Sequence, residues 1–418
     1  MSSERRTVTV IGAGIVGVSC AIHLQRLGFE VTIVDSQQPG EGCSFGNAGV
    51  IAPCAIVPVN APGMLSNALR MLLDPLGPLA LRWSYLPKML PWLFSYIYNS
   101  REAKSDVISV ALASITNNAL KEHQLVASVG TASALIKPSP YLYVYKSVSD
   151  FENDKRAWSV RSKHGIKTKV LIGEEVQRYE PTISSKYQCA VVLEHGHAFT
   201  PNPSLLVKSL AKDFQDNGGR FIQAEVESVN LINNNPSSLT TSYGIINADI
   251  LVVAAGILST KFATQLGEPV PLESERGYHI TIKDSGVAPN CPIMNAAGKF
   301  VVTPMTEGLR FAGLVEFGGA KANPNYDLCK RLLRQASIMF PEINLSDHTQ
   351  WMGHRPAMPD SLPVIGPSST VSNTYYAFGH HHIGLTSGPK TGRLIAETIA
   401  GQKLDTDLTP FSISRYKK

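Results

Sequence analysis

Near its start the chain changes hydropathic period twice. A β-branched run at Thr7–Ile11 gives way to apolar residues at helical intervals, Val16, Cys20, Leu24 and Leu27, and Gly28 closes that pattern. A second apolar run over 31–34 ends on Asp35. Period two, then 3.6, then two predicts strand, helix and strand. Residues 248–259 read as a buried parallel strand leading into a small-residue turn and a helix start. The same periodicities predict helices over 105–128, 150–164, 203–216, 327–340 and 390–400. Strands are expected at 141–146, 220–229, 239–246, 374–378 and in a set across 292–317 that turns at 306–308. There are no internal repeats and no low-complexity segment.

Between the first strand and its helix stands Gly12-Ala13-Gly14-Ile15-Val16-Gly17, a GxGxxG spacing. Gly12 permits the tight turn, Gly14 lets backbone approach a pyrophosphate, and Gly17 lets helix and strand pack closely. Asp35, eighteen positions after Gly17, stands where a carboxylate accepts hydrogen bonds from a ribose. The fold class expected is α/β, with a Rossmann-like dinucleotide-binding domain. After Asp35 the chain turns to loop chemistry, and Ser44-Phe45-Gly46-Asn47-Ala48-Gly49 offers small residues and donors to an extended cofactor.

Composition narrows the rest. At 418 residues, with 44% hydrophobic and 17% charged content, the chain is an ordinary globular protein of two or so domains. Its net charge of +5 is scattered, so no nucleic-acid footprint is supported. Six cysteines lie far apart without CxxC or metal-like spacing, and the six residues before the first strand leave no room for a signal peptide. These features lead us to expect reduced thiols, no metal and a cytoplasmic protein. The triplet His380-His381-His382 has no cysteine or carboxylate spaced beside it for a metal. Residues 64–100 are apolar and aromatic but broken by Arg70, Asp74, Arg82, Lys88 and four prolines, so no spanning helix is expected. Two readings stand open there: short helices packed on a neighbouring domain, or a lid or peripheral contact, through 64–98, with the inner face of the membrane.

Taken together, GAGIVG with Asp35, SFGNAGVIAP, ILVVAAGILS, RGYHI, and GHRPAMPDSLPVIG followed by GHHHIGLT resemble the FAD-dependent D-amino-acid oxidase/dehydrogenase superfamily. That superfamily includes glycine and sarcosine oxidases, and this chain looks most similar to the bacterial D-amino-acid dehydrogenases. The resemblance covers nearly the whole chain. It implies an FAD-binding domain over 1–62, 165–270 and 350–418, and an antiparallel-sheet α+β substrate domain over 63–164 and 271–349. Carried over, Gly12, Gly14, Ile15, Val16 and Gly17 hold the pyrophosphate, with Asp35 and Ser36 at the adenosine ribose. Ser44, Asn47, Ala48 and Gly49 line the path to the isoalloxazine, Val226 reaches the adenine side, and Ala255 and Gly256 pass close by. His382, Gly384, Leu385 and Thr386 lie at the flavin's pyrimidine edge, although the histidine-rich triplet departs from the dehydrogenase pattern.

The resemblance also implies oxidation of a D-amino acid or cyclic imino acid, with hydride passing from Cα to flavin N5. A carboxylate substrate calls for a guanidinium. Arg310, in EGLRFAG, is expected to orient it, with Arg355 as partner or pocket wall and Tyr278 adding a hydroxyl. No second GxGxxG serves NAD(P)H, so a quinone, another electron carrier or oxygen remains, and the 64–100 segment favours a quinone or carrier. Alternatives on the same sequence are a 2-hydroxy-acid dehydrogenase and the FAD subunit of a heteromeric amine dehydrogenase.

Overall fold

The computed structural model describes residues 7–62, 71–74 and 76–417. The β-branched runs form the centre of a six-stranded sheet. Strand β1 (Thr7–Ile11) pairs in parallel with β2 (Glu30–Asp35), which pairs in parallel with β3 (Arg220–Gln223). On its other side β1 pairs with β4 (Ile250–Val253), and Thr374–Phe378 and then Val364–Pro367 complete the sheet. All four side chains of β4 are buried, as a strand covered on both faces requires.

Helix α1 (Ile15–Arg26) follows the glycine-rich turn and crosses the closing helix α3 (Gly384–Ile399); α2 (Leu86–Asn99) lies between them in the chain. The crossing is close because Gly392 has no side chain: a Cβ there would lie 2.5 Å from the Ser19 carbonyl carbon. Helix α3 begins at Gly384 rather than near the expected 390, and it runs through Pro389. A proline leaves the carbonyl four residues earlier without its amide. Here Nε2 of buried His123 lies 2.8 Å from the Leu385 oxygen and supplies the missing donor.

The second sheet is nine-stranded. Its core is β5 (Glu273–Ile282), antiparallel to β6 (Gly308–Phe317) on one side and to β7 (His348–Ala357) on the other. Leu314, at φ +51°, bulges out of β6 opposite the Gly277–Tyr278 step. One face packs on the helix Cys329–Met339 and holds Tyr278, Ile280 and Phe311. Side chains of the other face, His279, Arg310 and Thr303, reach the 45–49 loop.

Several expectations are revised. The helix expected over 105–128 is two, Glu102–Thr116 and Ala119–Val126, because Asn118 between them takes φ +61°. The helix over 150–164 divides at Asp154 into Val148–Asn153 and Lys155–Lys163. Strands Lys169–Ile172 and Cys189–Leu193, and β7, belong to the second sheet, so the chain crosses between layers at other points than 165 and 350. Of the apolar 64–100 segment, residues 64–70 and 75 lie outside the described residues, as do residues 1–6. Helix α2 buries Met89 and Trp92, with Trp92 Nε1 donating to the Ala357 carbonyl at 3.1 Å, and leaves Leu90, Phe94 and Tyr98 exposed.

Two outcomes follow. Burial holds the imidazoles of His23 and His380 down to about 3 and that of His123 to about 4. A depressed folded-state pKa gives stability that is complete above about 6.5, the unfolded value, and is lost as pH falls toward the folded one. The urea midpoint of unfolding is therefore expected to fall between pH 6.5 and 4, and His123→Gln to flatten that fall. Gly392→Val, which drives a side chain into the α1 backbone, is expected to cost about 3 kcal/mol in the same assay.

Candidate active site

The turn after β1 is shaped by glycines. Gly12 takes φ +113°, and a Cβ there would strike the Ala254 carbonyl; one at Gly17 would strike the Gly12 carbonyl. Gly14 differs: only Ser44 Oγ, at 3.5 Å, lies near its missing Cβ. That open side, beside a helix start whose Gly14 N-cap gives no side-chain bond, leaves room and free amides for a pyrophosphate. The Ser44 hydroxyl accepts from the Ile15 amide at 3.2 Å. Asp35 fixes the turn from the end of β2, accepting from the Ala13 and Gln37 amides at 2.7 and 2.9 Å. Ser36 is exposed beside it, while Val226 is buried and Gly256 takes φ +56° next to Ala255. These residues fit the adenosine diphosphate half of FAD.

The loop that follows is held by one bond after another. Arg310 Nη1 donates to the carbonyls of Phe45 and Asn47, at 3.1 and 2.9 Å, while its Nε donates to Thr281 Oγ1. His279 Nδ1 lies 3.0 Å from the Gly46 carbonyl, Thr303 Oγ1 donates to Ala48 at 2.7 Å, and the Thr200 amide donates to Gly49 at 2.8 Å. Five successive carbonyls are satisfied. Trp351 stacks on His279, with centroids 5.2 Å apart, and fills the space where a side chain at residue 46 would lie. Burial brings His279 down to about 3, with Arg310 adding to the effect, so the ring is neutral and its Nδ1 carries the proton. Burial also lowers the Arg310 guanidinium to about 10.

The loop also touches the C-terminal helix, where Thr386 Oγ1 accepts from the Ala52 amide at 3.1 Å. Leu385 and Thr386 are buried there, and Gly384 opens α3. Just before it, Arg355 Nη1 lies 2.9 Å from Glu275 Oε1, while His381 Nε2 contacts the other carboxylate oxygen. His381 Nδ1 is 2.7 Å from Nδ1 of His382, whose side chain is exposed. Although burial pushes the Glu275 carboxyl up, His381, Arg355 and His382 hold it down to about 2. Gly277 leaves the space in which Arg355 lies, since a Cβ there would meet the guanidinium. His380 turns away, its Nε2 lying 3.0 Å from Thr391 Oγ1.

Arg355 and His382 are thus joined through one carboxylate, whereas Arg310 is turned to the loop backbone. Tyr278 is not brought to this face. Its hydroxyl donates to Glu316 at 2.5 Å and accepts from the Asn325 amide at 2.9 Å, and burial raises it to about 12. Sequence reasoning gave no role to His279 and did not single out Glu275, Thr303 or Trp351. The alternation of RGYHI held a signal, because adjacent Tyr278 and His279 must face opposite sides of a strand.

A glycine cradle, a strand-end acid and a pinned loop leading to a helix N-terminus define a flavin-dependent oxidoreductase. The profile of the DAO family, described as FAD dependent oxidoreductase, matches residues 7–398, and the chain belongs to that family. It is 37% identical to a D-amino-acid oxidase of Bradyrhizobium diazoefficiens, with 99% of each chain covered. It is 28% identical to a D-amino acid dehydrogenase of Paramagnetospirillum magneticum, with 98% of each covered. Among solved structures it is similar to L-proline dehydrogenase from P. horikoshii, with a TM-score of 0.75, 19% identity, and coverage of 99% of this chain and 98% of that one. Glycine oxidase from Bacillus cereus gives a TM-score of 0.71 at 20% identity, covering 99% of this chain and 100% of that one.

Arg310→Met leaves two loop carbonyls without a donor, at about 1 kcal/mol each. FAD is expected to bind roughly 30-fold more weakly, measured by fluorescence titration of apoprotein, with KM for substrate at saturating FAD changed little.

Proposed function

We propose that this chain oxidatively deaminates a D-amino acid or cyclic imino acid and passes the electrons to a quinone or similar carrier. The observation that carries this reading is the Arg355–Glu275–His381–His382 chain. It fixes a partly exposed guanidinium at one end and an open imidazole nitrogen at the other. An amino acid presents the complementary pair, a carboxylate and an amine on one carbon. Among the described residues only Nη1 of Arg355 has a carboxylate partner, and Nη2 has a long 3.4 Å contact with the Gly313 carbonyl, which leaves the guanidinium able to take a second anion. FAD, when bound, supplies the two-electron acceptor that takes hydride from Cα at N5. The α3 N-terminus at Gly384 adds a positive dipole end for the charge that reduction creates. Arg310 serves this reading by positioning the 45–49 loop, not by binding substrate.

The relatives named D-amino-acid oxidase and D-amino acid dehydrogenase support the substrate class and leave the acceptor open. The surface favours a membrane-soluble acceptor. Leu90, Phe94 and Tyr98, one helical turn apart, are exposed on α2, with Trp83 70% exposed before it. Arg101 and Lys104 lie over the Tyr98 ring at 4.7 and 5.0 Å. An apolar stripe with aromatic and basic residues suits the surface of an anionic membrane, where quinones reside. No helix among the described residues is long and apolar enough to cross a membrane.

The reading is tested anaerobically, by adding D- and L-amino acids, proline analogues and 2-hydroxy acids and following the flavin band near ~450 nm. Bleaching by D-amino or imino acids, reversed faster by a quinone than by air, is expected. Bleaching by 2-hydroxy acids alone would overturn the substrate class, and reoxidation as fast in air as with quinone would overturn the acceptor. Phe94→Glu is expected to lower retention on anionic vesicles, read by co-sedimentation, without changing bleaching.

A further inference from the structure

A second buried cluster, apart from the site above, closes on Cys54. The residue is fully buried, and its Sγ lies 3.8 Å from the Tyr143 hydroxyl. His197, 3% exposed, brings its imidazole to this thiol, and its buried Nε2 has no hydrogen-bond partner among the described residues. The other ring nitrogen is settled: Nδ1 lies 2.9 Å from the His195 carbonyl, which only accepts, so Nδ1 carries a proton. Nε2 is therefore the nitrogen free to take or give a proton. Arg161, 7% exposed, donates from Nε to the Cys54 carbonyl at 3.2 Å, and its Nη1 is also buried without a partner. The guanidinium stands over the Trp158 and Tyr143 rings, at 4.4 and 5.1 Å. No carboxylate among the described residues forms an ion pair with it. Asp154 acts on it from further off, its Oδ2 accepting from the Tyr145 hydroxyl at 2.7 Å.

A buried guanidinium keeps its proton and needs negative charge beside it. The Cys54 thiol is placed to supply that charge by passing its proton to His197 Nε2. Burial alone raises a thiol, and it pushes those of Cys20, Cys291 and Cys329 up to about 12. At Cys54 the same burial is outweighed by His197, Arg161 and Tyr143, which bring the thiol below its ordinary value. His197 moves the opposite way: burial lowers it, but Cys54 and the His195 carbonyl raise it above its ordinary value. Tyr141, beside Tyr143, is the remaining titratable group that bears on the sulfur. From this geometry we infer that Cys54 is a modification site: hydrogen peroxide oxidises its sulfur, and His197 and Arg161 hold the oxygen it gains. The inference stands apart from the amino-acid reading and does not depend on it. Reoxidation of a flavin by oxygen releases hydrogen peroxide, and Cys54 lies just beyond Ala52, whose amide is tied to Thr386 of α3. The sulfur attacks one peroxide oxygen, so an S–O bond forms and the O–O bond breaks. The departing oxygen keeps the electron pair and takes the Nε2 proton of His197, and water is released. Sulfur loses two electrons and peroxide gains two, leaving a sulfenic acid at Cys54. Its oxygen accepts from Arg161 Nη1 and its hydrogen faces the His197 Nε2 lone pair, so both unpartnered nitrogens are satisfied. The full burial of the thiol selects an oxidant close to water in size.

The test treats the FAD-loaded full chain with hydrogen peroxide, removes the excess with catalase, denatures the protein in dimedone and maps the labelled cysteines by peptide mass. Cys54 is expected to be labelled ahead of the other buried cysteines, Cys20, Cys291 and Cys329. At neutral pH, His197→Gln is expected to slow that labelling roughly 30-fold, the ratio of a full thiolate to the few per cent present in an ordinary thiol. Between about pH 6 and about pH 8 the wild-type rate is expected to stay level, and that of the variant to rise about tenfold per unit. A second readout needs neither oxidant nor the His197 variant: the ultraviolet absorbance of the thiolate at neutral pH, compared between wild type and Cys54→Ser. The wild type is expected to show one thiolate more. Labelling of Cys54 no faster than that of the other buried cysteines overturns the inference. So does a rate and pH profile unchanged in His197→Gln, or a thiolate absorbance unchanged in Cys54→Ser.

Discussion

A glycine-rich loop has no regular partner for its own carbonyls, and a buried carbonyl left unpaired costs about 1–3 kcal/mol. Residues 45–49 meet that requirement with groups from elsewhere in the chain. Arg310 on β6 takes two carbonyls, His279 on β5 a third, Thr303 a fourth and the Thr200 amide a fifth. Four of these five carbonyls are held by side chains of the second sheet, so the cofactor loop of one layer is held in place by the other. The rest of the site depends on that contact. It sets the loop against Thr386 of α3, and it requires a small residue at Gly46 because Trp351 occupies the space above.

The same sheet makes its two faces do different work. Arg276, Tyr278 and Glu316 form a buried ionic cluster on the face that packs against the Cys329–Met339 helix, while Glu275, Gly277 and His279 alternate with them toward the cofactor loop. The bulge at Leu314 shifts the register of β6 between Gly277 and Tyr278 without breaking the ladder. Buried charge is tolerable here because each group is partnered: Glu275 by Arg355 and His381, Arg276 by Glu316.

How much of this was legible in the sequence depended on distance along the chain. Gly12, Gly14, Gly17 and Asp35 are local, and their spacing alone gave the strand–helix–strand and its ligand class. The partners of the 45–49 loop come from more than 150 residues away, and no periodicity announces such pairing. Arg310 looked like a carboxylate ligand because similar sequences place a carboxylate-binding arginine in the same turn–strand context, and only the fold shows that it takes the loop carbonyls instead. Tyr278 and His279 were separable by strand alternation, once β5 was known to be covered on both faces. The start of α3 was hidden by Pro389, whose cost is met by His123, a residue on a different helix. Asn118 broke a predicted helix through a backbone conformation that hydropathy does not report.

The central claim is that the second sheet, and not the cofactor, orders the flavin loop. Hydrogen–deuterium exchange of the peptide covering residues 44–54, measured on protein stripped of FAD, tests it most directly. The account predicts that these amides are already slow to exchange without FAD, and that Arg310→Met speeds them. Rapid exchange in the wild-type apoprotein, slowed only when FAD is added, would contradict it.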